Sequence, residues 1–98
     1  MERNHRYYLA RMAELFDLPA DTAAGLSHME LLGDRQLFLE GQAGILAYGT
    51  EEIDVSVGGG VVRVRGAGLE VRSMTGDELC LRGRIDAVEF LRGEEARR

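Results

Sequence analysis

The sequence predicts a mainly β fold, a small antiparallel β-sandwich or partly closed barrel of about seven or eight short strands with an N-terminal amphipathic helix. Two observations carry this reading. Between Ile53 and Leu81, apolar and charged residues alternate with period two, as in Ile53-Asp54-Val55-Ser56-Val57 and Leu69-Glu70-Val71-Arg72, the pattern of strands with one buried face. Glycine-rich stretches separate these runs at short, regular intervals, Gly58-Gly59-Gly60 and Gly66-Ala67-Gly68 among them. A short β-solenoid is the rival architecture, but solenoid repeats are longer than these intervals.

The chain opens with helical spacing over His5 to Phe16. Tyr8, Met12, Leu15 and Phe16 fall at i, i+4, i+7 and i+8, with Arg6, Arg11 and Glu14 largely off that stripe. Asn4 is a candidate cap, and Asp17-Leu18-Pro19 ends the element because the residue before proline disfavours helix. The stripe is expected to pack against the sheet or a partner subunit. The sharper alternative is a membrane-surface anchor built from Arg3, Arg6, Arg11 and the tyrosines; the narrow apolar face favours packing. Asp21 to Ser27, with small residues and a glycine, reads as a connector or a short turn of helix.

Strands begin at His28-Met29-Glu30-Leu31-Leu32, followed by a Gly33-Asp34-Arg35 turn and Gln36-Leu37-Phe38-Leu39-Glu40, with Leu37 and Leu39 inward and Phe38 outward. Ile45-Leu46-Ala47-Tyr48, bounded by Gly44 and Gly49, is next. Apolar residues on both faces of these strands predict a sheet covered twice in part, by the helix, a second sheet or another subunit.

Opposed residues in an antiparallel pair share a face, so the alternation suggests pairings. Val57 opposite Val62 and Val55 opposite Val64 leave Gly58 to Val61 as a loop and place Asp54 against Arg65 and Ser56 against Arg63. Val64 opposite Leu69 and Val62 opposite Val71 then make Gly66-Ala67 a two-residue turn, with Arg63 against Glu70. A Thr75-Gly76-Asp77 turn sets Val71 opposite Leu81 and Glu70 opposite Arg82. One face is thus aliphatic and the other charge-paired. Gly83 either turns or kinks the chain, and a change of phase between Ile85 and Val88 predicts a β-bulge near Asp86-Ala87. The mixed-charge tail from Arg92 to Arg98 is expected to fray.

At 98 residues the chain is expected to be one domain over 1–98, with helix and connector at 1–19, a β domain at 28–91 and a tail at 92–98. Such a chain buries roughly 60 to 65% of its extended surface, enough for one core. Hydrophobic residues at 45% and charged residues at 30% suit a globular protein, and no apolar run approaches the ~20 residues of a membrane span. No apolar signal core follows Met1 to Arg6, so a cytoplasmic location is expected. The only cysteine, Cys80, permits no internal disulfide. A net charge of −5 argues against non-specific nucleic-acid binding. All basic side chains besides the two histidines are arginine, which excludes Schiff-base chemistry on a lysine and a P-loop.

No catalytic signature accompanies the strands. Gly58-Gly59-Gly60 joins strand to strand without a helix N-terminus to receive phosphate. Gly66-Ala67-Gly68 begins like a dinucleotide fingerprint but has Val71 at the third glycine position. Cys80 alternates with Leu79 and Leu81 on the face away from the core and has no histidine near in sequence, so it reads as a structural thiol. His5, His28 and Cys80 lack zinc-ligand spacing. Glu51-Glu52 and Glu94-Glu95 read as solvated charge rather than as acid/base pairs. No catalytic residue, cofactor or metal is expected.

Taken together, Phe16-Asp17-Leu18-Pro19-Ala20-Asp21, the stretch Leu31 to Glu40, Gly44-Ile45-Leu46, Val62 to Leu69, and Glu78 to Ile85 resemble the YabP/YqfC family of sporulation proteins, nearest its YqfC branch. The chain departs from that pattern in using arginine where relatives often carry lysine and in its short Gly58-Gly59-Gly60 turn. The resemblance implies a β-sandwich-like fold, expression in the mother cell of a sporulating bacterium, no enzymatic activity, and a part in spore morphogenesis, with coat assembly implied by the YabP branch. The expected partners are other sporulation proteins and the chain itself as a homo-oligomer. The candidate interaction surface is Tyr8, Met12, Phe38, Leu46 and Tyr48, with Phe38, Leu46 and Tyr48 expected on an outer face. Alternatives are a soluble adaptor of a sporulation membrane protein, which would associate with the membrane indirectly, and a small-ligand binding or enzymatic domain with a pocket between sheets.

Overall fold

The computed structural model of the chain describes residues 26–93. The predicted helix over His5 to Phe16, with Tyr8 and Met12, lies outside the described residues, as does most of the tail.

Six strands follow one another: β1 (His28–Leu32), β2 (Gln36–Glu40), β3 (Gln42–Tyr48), β4 (Glu52–Val57), β5 (Gly60–Thr75) and β6 (Glu78–Leu91). They form one antiparallel sheet in the order β1-β2-β6-β5-β4-β3, which is not closed, since β1 and β3 are both edges. The expectation of a sandwich or partly closed barrel of seven or eight short strands is therefore corrected to six strands in one open sheet. Val62 to Arg65 and Leu69 to Arg72 are parts of the single 16-residue β5, and the runs on either side of Gly83 are parts of the 14-residue β6.

The fold turns on the ribbon made by these two strands. Gly66-Ala67 is no hairpin turn. The ladder instead pairs Val64 with Val88, Val62 with Phe90 and Arg63 with Glu89, replacing the expected pairings of these three residues with Leu69, Val71 and Glu70. Three register shifts, at Arg65/Gly66, Ala67/Glu70 and Val71/Ser73, divide the ribbon. The first leaves Asp86 without an opposite residue, the bulge expected from the phase change. Glycine is required at this point because β5 and β6 approach closely. A Cβ on Gly66 would collide with the Arg84 carbonyl, and one on Gly83, whose φ is 138°, would lie 2.6 Å from the Gly68 carbonyl oxygen.

Each side of the interrupted ribbon carries its own strands. Gly60 to Arg65 pairs with β4, and β4 with β3; Glu78 to Arg82 pairs with β2, and β2 with β1. Where the ribbon leaves these partners, loops satisfy its backbone, as buried or crowded N–H groups require. Gly66 and Leu69 N–H donate to the Glu51 and Thr50 carbonyls at 3.0 and 2.8 Å, and Gly83 and Ile85 N–H to the Arg35 and Asp34 carbonyls at 3.0 and 2.7 Å.

The β4–β5 hairpin is tighter than expected. Val57 pairs with Gly60, Val55 with Val62, Ile53 with Val64 and Asp54 with Arg63, so the turn is Gly58-Gly59, with a positive φ of 86° at Gly59, rather than Gly58 to Val61. Other expectations hold: β1, β2 and the turn between them fall where the sequence places them, Val71 faces Leu81, and Glu70 faces Arg82; β3 starts earlier than expected, at Gln42 rather than Ile45, and Ser56 faces Val61 rather than Arg63.

The apolar faces of both halves meet in one cluster. Leu37, Leu39, Leu69, Leu79 and Leu81 join Ile53, Val55, Val62, Val64 and Ile85, all buried. Burying a Leu, Ile or Val side chain contributes roughly 1.5–3 kcal/mol each, so this cluster is the main source of stability among the described elements.

Candidate functional site

The outer faces of the two halves differ in chemistry. Across β4, β5 and the end of β6 the outward positions include paired charges, with Val61 and Leu91 opposite each other on the same face. Arg63 donates from Nε and Nη2 to the two carboxylate oxygens of Asp54, both at 2.9 Å, Glu52 lies 3.3 Å from the same guanidinium, and Arg65 reaches Glu89 at 2.8 Å. Its hydrogen bonds to Asp54, with added attraction from Asp54, Glu52 and Glu89, push the Arg63 pKa above its already high ordinary value. At the bend Arg84 is likewise raised by its hydrogen bonds to Asp86. These groups satisfy one another.

The other half carries an ion pair of its own on this face, Arg82 with Glu70, and beside it a different row. Glu30, Phe38, Cys80 and Ser73 lie opposite one another across β1, β2, β6 and β5, and therefore share the outer face. Phe38 is half-buried, as is Cys80. Together with Glu30, Leu31, Leu32 and Gln36 they line a dent of about 160 Å³ beside the open β1 edge. Leu31 and Leu32 stand 53% and 68% exposed on that edge. The edge is short and its pairing with β2 runs without a bulge, whereas β3 carries register shifts at Gln42/Gly44 and Ile45/Ala47, a feature that discourages edge pairing.

Of the residues singled out from sequence, Phe38 occupies the outer face as expected. Leu46 falls within a register shift of β3 and is exposed, at the opposite end of the strand order from Phe38. Tyr48 is 60% exposed, but not on the outer face expected for it: it lies opposite Ile53, on the core side of the sheet, and its hydroxyl accepts a hydrogen bond from the Val71 N–H at 3.3 Å across the fold. The three do not form one patch. Leu32, overlooked in the sequence, shares the outer face with Phe38, while Leu31 lies opposite the buried Leu37 and borders the dent from the strand edge; two consecutive leucines in a five-residue edge strand were the available signal, since only one of them can face the core. Cys80 sits on the outer face between the buried Leu79 and Leu81, as its alternation implies.

Glu40, Asp77 and Glu78 offer carboxylate oxygens within 4.8 Å of one another, an acidic cluster at the β2 end with no further feature that marks a metal site. Among the described residues, no helix is long and apolar enough to cross a membrane.

The sequence model of the YabP family matches residues 24–97, which spans all six strands. The chain belongs to the YabP family. Membership suggests a sporulation-related protein, and the folded, open β-sheet with its charge-paired and apolar outer faces is the form the chain gives that family. No curated protein matches the chain.

Proposed function

We propose that this YabP-family chain is a non-enzymatic sporulation protein that acts in spore morphogenesis or coat assembly through protein–protein contacts. It works in the mother-cell cytoplasm and stands nearest the YqfC branch of its family. Its partners are further sporulation proteins and copies of itself. The observation that supports this reading most is the asymmetry of the outer surface. The β4–β5 half carries the Arg63–Asp54 and Arg65–Glu89 ion pairs, while the other half, beside its Arg82–Glu70 pair, presents Phe38 and Cys80 near the leucine-bearing β1, an edge strand among the described residues. An aromatic side chain in a shallow dent next to an open edge combines an anchor with a template for strand addition.

Sedimentation velocity of the purified chain over a wide concentration range tests the self-association. Growth into dimers or larger species with concentration, abolished by Phe38→Asp, is the expected result. A monomer at every concentration would overturn self-association and leave the contact to a different sporulation protein.

A further inference from the structure

A second apolar surface lies on the core side of the sheet, away from Phe38. Phe90 is directly opposite Val62 in the β5–β6 ladder, so its ring is on the face of the core. Val62 is 1% exposed and Phe90 57%. The core face therefore runs on past its cover at this end of the fold. Leu26, Met29, Leu39, Val57, Val62 and Phe90, with the Gly58-Gly59 turn, surround a cavity of about 420 Å³ there. Arg92 is the one ionisable side chain among its described lining residues. That volume falls within the roughly 300–1,000 Å³ of pockets that take a ligand, and the lining asks for an apolar one.

We propose that the occupant is the chain's own N-terminal segment, whose stripe of Tyr8, Met12, Leu15 and Phe16 covers Phe90 and fills the cavity between the start of β1 and the end of β6. Three facts point to this occupant. The described chain enters through Leu26 and Ser27, themselves part of the cavity wall, so the segment is delivered to the mouth. The nine residues between Phe16 and Leu26 reach roughly 30 Å when extended, enough to double back over the opening. The stripe has apolar residues at helical spacing, and an amphipathic helix laid in an apolar groove is an established recognition mode. A short tether also gives the segment an effective concentration on the order of millimolar, which favours it over a second copy present at micromolar levels. The cavity and the Phe38 face are on opposite sides of the sheet, so this inference stands or falls independently of the assembly surface.

Cysteine cross-linking in the full chain tests it. In a Cys80→Ser background, Gly58→Cys places a thiol at the mouth, where a Cβ meets nothing within 4 Å; Tyr8, Met12 and Phe16 are each replaced by cysteine in turn. Oxidation at low micromolar protein is expected to give an intrachain disulfide with at least one of the three. Disulfides formed only between chains would overturn the proposal in favour of a second copy, and no disulfide at all would overturn it outright. Hydrogen exchange supplies a second readout that needs no cross-link. Met12→Asp with Phe16→Asp is expected to speed exchange over 57–62 and 90–91 about tenfold, and unchanged exchange there would overturn the docking.

Discussion

Arg63 and Asp54 lie directly opposite each other in the β4–β5 ladder and meet through two parallel hydrogen bonds of 2.9 Å. Both side chains are largely withdrawn from solvent, in contrast to Arg84 and Asp86, which make similar contacts with both groups more than half exposed. Bidentate geometry and partial burial raise the consequence of losing one partner, because Arg63 would lose both of its hydrogen bonds to Asp54 in a site with little access to water and keep the longer Glu52 contact. Asp54→Ala is therefore expected to lower the midpoint of urea unfolding clearly more than Asp86→Ala. Equal effects would show that burial of the Asp54 pair contributes nothing.

The glycines of the ribbon and of the hairpin are expected to separate sharply. Gly66→Ala drives a methyl group into the Arg84 carbonyl, a backbone group that cannot step aside, and should destabilise the fold by about 3 kcal/mol or prevent it from forming. Gly58→Ala meets open space and should stay within about 0.5 kcal/mol of the parent. Chemical denaturation of the two variants checks both.

Leu81 and Cys80 are neighbours in β6 with opposite fates. Leu81 is fully buried in the shared cluster, and Leu81→Ala should cost about 2–5 kcal/mol through lost burial and the cavity left behind. Cys80→Ser, on the outer face, is expected to change stability by no more than about 0.5 kcal/mol. The same pair of denaturation curves would expose an error in the assignment of faces.

Tyr48→Phe removes the hydroxyl that accepts from the Val71 N–H and keeps the ring. The contact is exposed, so a loss of about 0.5 kcal/mol is expected, together with faster exchange of the Val71 amide measured by NMR. An unchanged exchange rate would mean that the hydroxyl does not hold β3 against the far half of β5.

How legible the fold was depended on whether a feature was local. β1 and β2 were readable residue by residue, because each is a short apolar run and Gly33-Asp34-Arg35 marks the turn between them. The Asp86 bulge was readable because a phase change in alternation has few other causes. The β4–β5 register was misplaced by two residues, and alternation cannot detect such a slip: a shift of two returns every side chain to its own face, and Asp54 finds an arginine opposite in either register. Of the interaction surface, Phe38 was legible as an outward aromatic, whereas its separation from Leu46 and the inward face of Tyr48 depend on strand order and on the bulges of β3.

By itself the sequence determined a mainly β, antiparallel chain with one aliphatic and one charge-paired face, since side-chain direction along a strand follows from its period of two. Only the tertiary structure decided that Gly66 and Gly83 are crossing points inside two long strands rather than the ends of short ones. A glycine that reverses the chain and a glycine that admits a neighbouring carbonyl are the same residue in the same kind of sequence. What distinguishes them is the backbone of Arg84 and Gly68 approaching from elsewhere in the chain, a contact that no local pattern encodes.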